Sequence, residues 1–159
     1  MKADEKTNVM RLLESRKIPY KAHSYNPDPS LSGLDIAHIL NEDPMFVFKT
    51  LVTCGKPGHY YVFVIPVALE LDLKKAARIV GEKSVAMILQ KDLLPLTGYI
   101  HGGCSPVGMK KQFPTFVHFT AEKAEKIYIS AGKVGFQIEL SLRNLQSLIK
   151  LQTADLTNF

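Results

Sequence analysis

The sequence predicts an α/β (α+β) domain built on a mixed sheet or partly closed barrel flanked by helices, and three observations lead there. Segments of helical period alternate with runs rich in β-branched and aromatic residues, so helices and strands must share a core. Two of those runs, residues 46–54 and 59–66, are separated only by Gly55-Lys56-Pro57-Gly58, a hairpin signal foreign to a doubly wound parallel fold. No Gly-x-Gly-x-x-Gly follows a first strand and no Walker-type loop occurs, which disfavours nucleotide-cofactor chemistry. With 159 residues, 46% of them hydrophobic, the chain suits one domain over residues 1–159.

Residues 5–17 place Val9, Leu12, Leu13 and Arg16 at helical spacing before Pro19, an amphipathic first helix. A short strand over 20–25 follows, then the turn-forming stretch Asn26-Pro27-Asp28-Pro29-Ser30. Leu34, Ile36, Ala37 and Leu40 suggest a short helix closed by Asp43-Pro44. Strand 59–66 is apolar on both faces and belongs in the centre of its sheet. Residues 73–80 form a helix ended by Gly81, with Ala76, Ala77 and Val80 opposite its lysines. A short strand over 84–88 and a helical turn over 90–94 lead into residues 97–108, a loop with four glycines and one proline. Strands over 115–119, 127–130 and 136–140 and a helix over 141–149 complete the chain.

Twenty Lys and Arg against fifteen Asp and Glu give a net charge of +5. That moderate positive field favours phosphate-bearing partners without naming one. Its clusters are Lys74, Lys75 and Arg78, then Lys110 and Lys111; a solvated helix face is an adequate account of the first. No apolar stretch approaches the ~20 residues a membrane span needs, and Met1-Lys2-Ala3-Asp4-Glu5-Lys6 lacks the apolar region of a signal peptide. A soluble, cytoplasmic protein is expected. Cys54 and Cys104 are expected as free thiols, and neither they nor His23, His38 and His59 show metal-ligand spacing, so neither metal nor cofactor is expected.

Lys49 is the anomaly of an otherwise apolar strand. Phe46, Phe48, Thr50 and Val52 share one face and Val47, Lys49 and Leu51 the other, so the ammonium either snorkels to water or enters a pocket. In Gly102-Gly103-Cys104-Ser105-Pro106, glycines let the backbone approach a ligand and unpaired N–H groups can hold an oxygen; a tight structural turn is the alternative. Cys104 could be a nucleophile with His101 or His118 as base, or a small apolar filler. Ser130-Ala131-Gly132-Lys133 could orient a polar substrate or simply form a hairpin turn.

Taken together, Val47-Phe48-Lys49-Thr50-Leu51-Val52, the stretch from Thr97-Gly98-Tyr99 through Gly102-Gly103-Cys104-Ser105-Pro106-Val107-Gly108, and Ile127-Tyr128-Ile129-Ser130-Ala131-Gly132-Lys133 resemble the YbaK/EbsC family, within the prolyl-tRNA synthetase-associated editing domains. The resemblance implies a curved, largely antiparallel sheet. It implies a free-standing aminoacyl-tRNA deacylase that acts on the acceptor end of mischarged proline tRNA, most characteristically Cys-tRNA(Pro), and that works alone or docked on prolyl-tRNA synthetase. Lys49 corresponds to the family's pocket lysine, the catalytic position. Thr50, the loop Gly102, Gly103, Cys104, Ser105 and Pro106, Ser130 and Tyr25 correspond to positions that bind the substrate. Leu31-Ser32-Gly33 lacks the aromatic residue that relatives often carry there, and Ala131 replaces a glycine. The chemistry implied is substrate-assisted, the thiol of the mischarged cysteine attacking its own ester, with release by hydrolysis or cyclisation. An Ala- or Ser-specific deacylase, a non-catalytic tRNA or synthetase-binding module and a thiol hydrolase remain alternatives.

Overall fold

A computed structural model describes residues 5–158; the polar start at residues 1–4 that argued against a signal segment, and Phe159, lie outside them. Helix α1 spans Asn8–Ser15, entered through Thr7, whose side chain accepts the Met10 N–H. Ser32 opens α2 (Gly33–Ile39) with a capping box, its hydroxyl accepting the Asp35 N–H while the Asp35 carboxylate accepts the Ser32 N–H. Helix α3 spans Leu73–Val80, α4 Gln90–Thr97 and α5 Leu142–Leu148. The turn expected at 90–94 is therefore a full helix that runs past Pro95. Its last turn is closed by the Thr97 hydroxyl donating to the Leu93 carbonyl and by the Gly98 N–H donating to Leu94.

The strands are β1 (Lys21–Ser24), β2 (Phe48–Cys54), β3 (Tyr60–Pro66), β4 (Ala86–Met87), β5 (Thr115–His118), β6 (Ile127–Ser130), β7 (Phe136–Leu140) and β8 (Gln152–Ala154). They form two sheets rather than a barrel. One is antiparallel, ordered β1-β7-β6; the other is mixed, ordered β4-β2-β3-β5-β8, with β5 parallel to both of its neighbours. The sheets meet at a parallel bridge between Val47 and Tyr128, reinforced by the Tyr128 N–H donating to the Phe46 carbonyl. Strand β3, apolar throughout, occupies the centre of the larger sheet as its sequence requires.

Two features lie beyond the sequence reading: β8, and a 3-10 turn at Phe119–Lys123. The principal core gathers Val9, Met10 and Leu13 of α1, Phe48, Val52, Val62 and Val64 of the larger sheet and Ile127, Ile129 and Ile138 of the smaller one. A second cluster, Phe63, Ile65, Ala76 and Ala77, packs α3 on the opposite face of β3. Among the described residues no helix is long and apolar enough to cross a membrane.

Candidate functional site

Where the two sheets meet, a cavity of about 370 Å³ opens beneath α2 and the 97–108 loop. Tyr25, Lys49, Thr50, Gly102, Cys104 and Ser130 all line it, although they come from four separate segments of the chain. The hairpin register pairs Lys49 with Ile65 and Thr50 with Val64, which puts the cation on the second-cluster face and the hydroxyl on the principal-core face. Lys49 is half-buried and its Nζ stands 3.6 Å from Glu70 Oε1. The ammonium thus borders a cavity and one carboxylate, and does not simply escape to water.

Gly103, Ser105 and Pro106 are buried behind the cavity wall and do not line it. Ser105 is fully buried, its hydroxyl accepting the Val107 N–H at 3.2 Å. Gly102 has φ of 87°, a left-handed turn that glycine permits. Beside it, a Cβ on Gly103 would fall 3.0 Å from the Val134 backbone nitrogen, so the loop packs directly on the β6–β7 turn. Ser130 supports that turn too, its Oγ accepting the Gly132 N–H at 3.1 Å. These bonds hold the loop and the strand end in the register that exposes Gly102 and Cys104.

Burial dominates the electrostatics. It pushes the Cys104 thiol up to about 12, only partly offset by the neighbouring Thr97 hydroxyl. It also raises the Tyr25 phenol, against a lowering contact with the Gly135 backbone. His101 lines the cavity but is exposed. His118 is elsewhere in use: 1% exposed, it accepts the Leu156 N–H on Nδ1 at 3.1 Å and so anchors the chain beyond β8. Among the described residues no group of three or more His, Cys, Asp and Glu side chains is placed to hold a metal ion.

Gln137 is a site residue that sequence reasoning missed. It lines the cavity from β7, is 3% exposed, and its Oε1 has no hydrogen-bond partner; Thr50 Oγ1 and both Glu42 carboxyl oxygens are buried and unpartnered in the same way. Burial raises the Glu42 carboxyl, while the nearby Gln137 amide and His23 offset part of that rise. The signal was available: a polar residue between Phe136 and Ile138 is the same anomaly in β7 that Lys49 is in β2. Leu31, Ser32, Gly33 and Ile36 contribute the α2 wall.

Chemically, the cavity offers one fixed cation, hydroxyl and amide groups with unused bonding capacity, glycine backbone and a protonated thiol. It suits a substrate with a polar, oxygen-rich reacting centre and a small side chain. Over 157 residues the chain is 46% identical to the candidate Cys-tRNA(Pro)/Cys-tRNA(Cys) deacylase EbsC of Enterococcus faecalis, covering 98% of this chain and 96% of that protein. A crystal structure of a candidate trans-editing enzyme for prolyl tRNA synthetase superposes with a TM-score of 0.83 at 24% identity, covering 98% of this chain and all of the other. The hypothetical protein APE2540 superposes with a TM-score of 0.86 at 22% identity over 96% of this chain, and like the former it shows the fold. Residues 32–148, which include every cavity residue named above except Tyr25 and Leu31, match the family model of the aminoacyl-tRNA editing domain, and the chain belongs to that family.

Proposed function

We propose that this chain is a cytoplasmic, trans-acting aminoacyl-tRNA deacylase that cleaves the ester of Cys-tRNA(Pro). The observation that carries this reading is the pairing of a fixed cation with a disabled thiol in one cavity. Lys49 supplies charge, while burial raises the Cys104 thiol to about 12, which keeps it protonated at neutral pH and disfavours it as the nucleophile. Such a cavity suits a substrate that brings its own nucleophile, and the 46% identical relative bears the name of a Cys-tRNA deacylase.

In this reading the aminoacyl group lies between Lys49, Thr50 and the backbone of Gly102 and Cys104, with Tyr25 and Ser130 flanking it. Gly103, Ser105 and Pro106 hold the loop in shape from behind. The substrate thiol adds to its own ester carbonyl; a C–S bond forms, the ester C–O bond breaks, and the thiol proton passes to the departing ribose oxygen. The cyclic thioester then opens in water. Proximity of thiol and carbonyl removes up to ~7–11 kcal/mol of barrier in well-oriented cases, which lessens what the protein must add. Lys49 stabilises the oxygen that gains charge.

The chain presents little surface for reading a whole tRNA, which supports docking on prolyl-tRNA synthetase as the source of tRNA choice. Incubating the protein with proline tRNA charged with Cys, Ala, Ser or Pro tests the reading. Selective loss of the Cys ester is the expected result. Selective loss of the Ala or Ser ester reassigns the substrate, protection without loss selects a binding module, and loss no faster than in buffer overturns the enzyme. Addition of the synthetase should lower the tRNA concentration required.

A further inference from the structure

A second cavity, about 400 Å³, is built from the two ends of the loop whose middle lines the first. His101, Gly102 and Cys104 face the aminoacyl cavity, whereas Thr97, Gly98, Tyr99 and Gly108 face the second. The chain leaving β6 passes likewise from one to the other, Ser130 lining the first and Ala131, Gly132 and Lys133 the second. The two cavities are therefore neighbours across one thin layer of backbone.

Their linings differ in charge. Four cations, Lys6, Arg11, Lys110 and Lys133, line the second cavity, and among the described residues no Asp or Glu does. Lys6 and Lys133 are paired from outside the lining, with Glu14 at 2.6 Å and Glu5 at 3.2 Å. Arg11 bonds only the neutral Asn8 Oδ1 at 3.0 Å, and Lys110 makes no ion pair among the described residues. Arg11 shares the field of Glu14 with Lys6, and neither Arg11 nor Lys110 has a carboxylate in ion-pair contact among the described residues, so positive charge is in excess at one concave surface. No acidic residue in the first turn of α1, whose start borders the same surface, offsets it.

We propose that this cavity is a phosphate-binding subsite that takes the phosphodiester backbone of the RNA strand whose terminal ester enters the neighbouring aminoacyl cavity. The assignment rests on the proposed function for the identity of the strand; the anion preference rests on the cations alone. Arg11 and Lys110 are the two charges free to pair with phosphate, and each pairing releases condensed counterions. The subsite separates two tasks. The first cavity reads the amino acid, and the second supplies affinity for the nucleic acid irrespective of its sequence.

The test is the affinity of an uncharged RNA hairpin carrying the single-stranded 3′ end of proline tRNA, measured from 50 to 200 mM salt. Three proteins are compared: the unaltered protein, Arg11→Ala with Lys110→Ala, and Lys74→Ala with Arg78→Ala as a control of equal charge on the exposed face of α3. The first pair should weaken binding about tenfold at 150 mM salt and lower the slope of log K against log salt by about 1.4, the value for two single-strand phosphate contacts. The control should leave both close to those of the unaltered protein, and Arg11→Lys with Lys110→Arg should restore them. Equal losses in both Ala pairs would reduce the effect to net charge and overturn the subsite, as would no loss in either. Inorganic pyrophosphate, titrated alone, separates the sources of phosphate: binding tighter than the RNA would assign the cavity to a free anion and overturn the strand assignment. Because the RNA is uncharged, the result stands apart from whether the ester is ever cleaved. With the charged tRNA, KM should rise in the first pair while turnover of 3′-O-cysteinyl adenosine stays the same.

Discussion

Lys49 Nζ and Glu70 Oε1 stand 3.6 Å apart at the edge of the cavity between the two sheets, and the two partners are unequally exposed: the lysine side chain is 28% exposed, the glutamate 93%. One side chain is half-buried and the other exposed to solvent, so the pair is worth no more than about 0.2–1 kcal/mol. Glu70→Gln should leave the melting temperature within a few degrees of the original. Lys49→Ala should lower the deacylation rate by at least ~10²-fold, the scale for loss of one oxyanion-stabilising group. Unchanged rates in Lys49→Ala would return the lysine to the role of a snorkelling surface cation.

Cys104 provides a test of whose thiol reacts. Removing a protein nucleophile costs on the order of 10⁶ in rate, so Cys104→Ala should stay within about tenfold of the original enzyme if the substrate supplies the sulfur. The thiol, raised to about 12 from 9.0 by burial, should resist alkylation at pH 8 in the native protein and react once the chain is denatured. A folded state that keeps this proton loses stability as pH climbs from about 9 towards 12, because the unfolded chain ionises first. Thermal melts across that window should fall less steeply in Cys104→Ala.

Gln137 carries a buried oxygen with no partner among the described residues, while its amide favours the Glu42 carboxylate. Gln137→Leu removes the unpaired oxygen together with the amide that favours the Glu42 carboxylate, two effects of opposite sign, so denaturant unfolding should change by less than about 1 kcal/mol. Activity should drop in the same variant. Stability held while the rate falls would mark Gln137 as a residue kept for the substrate, whereas a fall in both would mark it as part of the core.

His118 sets an acid limit. Burial depresses its pKa below 6.5, with Lys75 acting in the same direction and Asp155 partly opposing it. The unfolded chain takes up a proton that the folded chain refuses, so stability should fall as pH drops below about 6.5. His118→Asn keeps an acceptor for the Leu156 N–H and should flatten the melting temperature between pH 7 and 5. An unaltered acid slope in this variant would assign the loss to other groups.

Local chemistry determined much of this molecule. Thr7, Ser32 and Ser141 cap three helices by rules that operate within a few residues, and the β2–β3 hairpin follows from four turn residues between two apolar runs. Lys49 was legible as an anomaly for a related reason, since a charge in an apolar strand is costly unless something uses it, and it lines the cavity between the sheets. Strand β8 was not legible, because Gln152-Thr153-Ala154 has no strand-like pattern and exists through parallel pairing with β5 across the α5 connection. Nor could any local rule separate Cys104, which lines the cavity, from Ser105, which is buried behind it one residue later. Side-chain direction in a glycine-rich loop is set by what the loop packs against. Here that is the β6–β7 turn, some thirty residues away in the chain, and only the tertiary structure brings the two together.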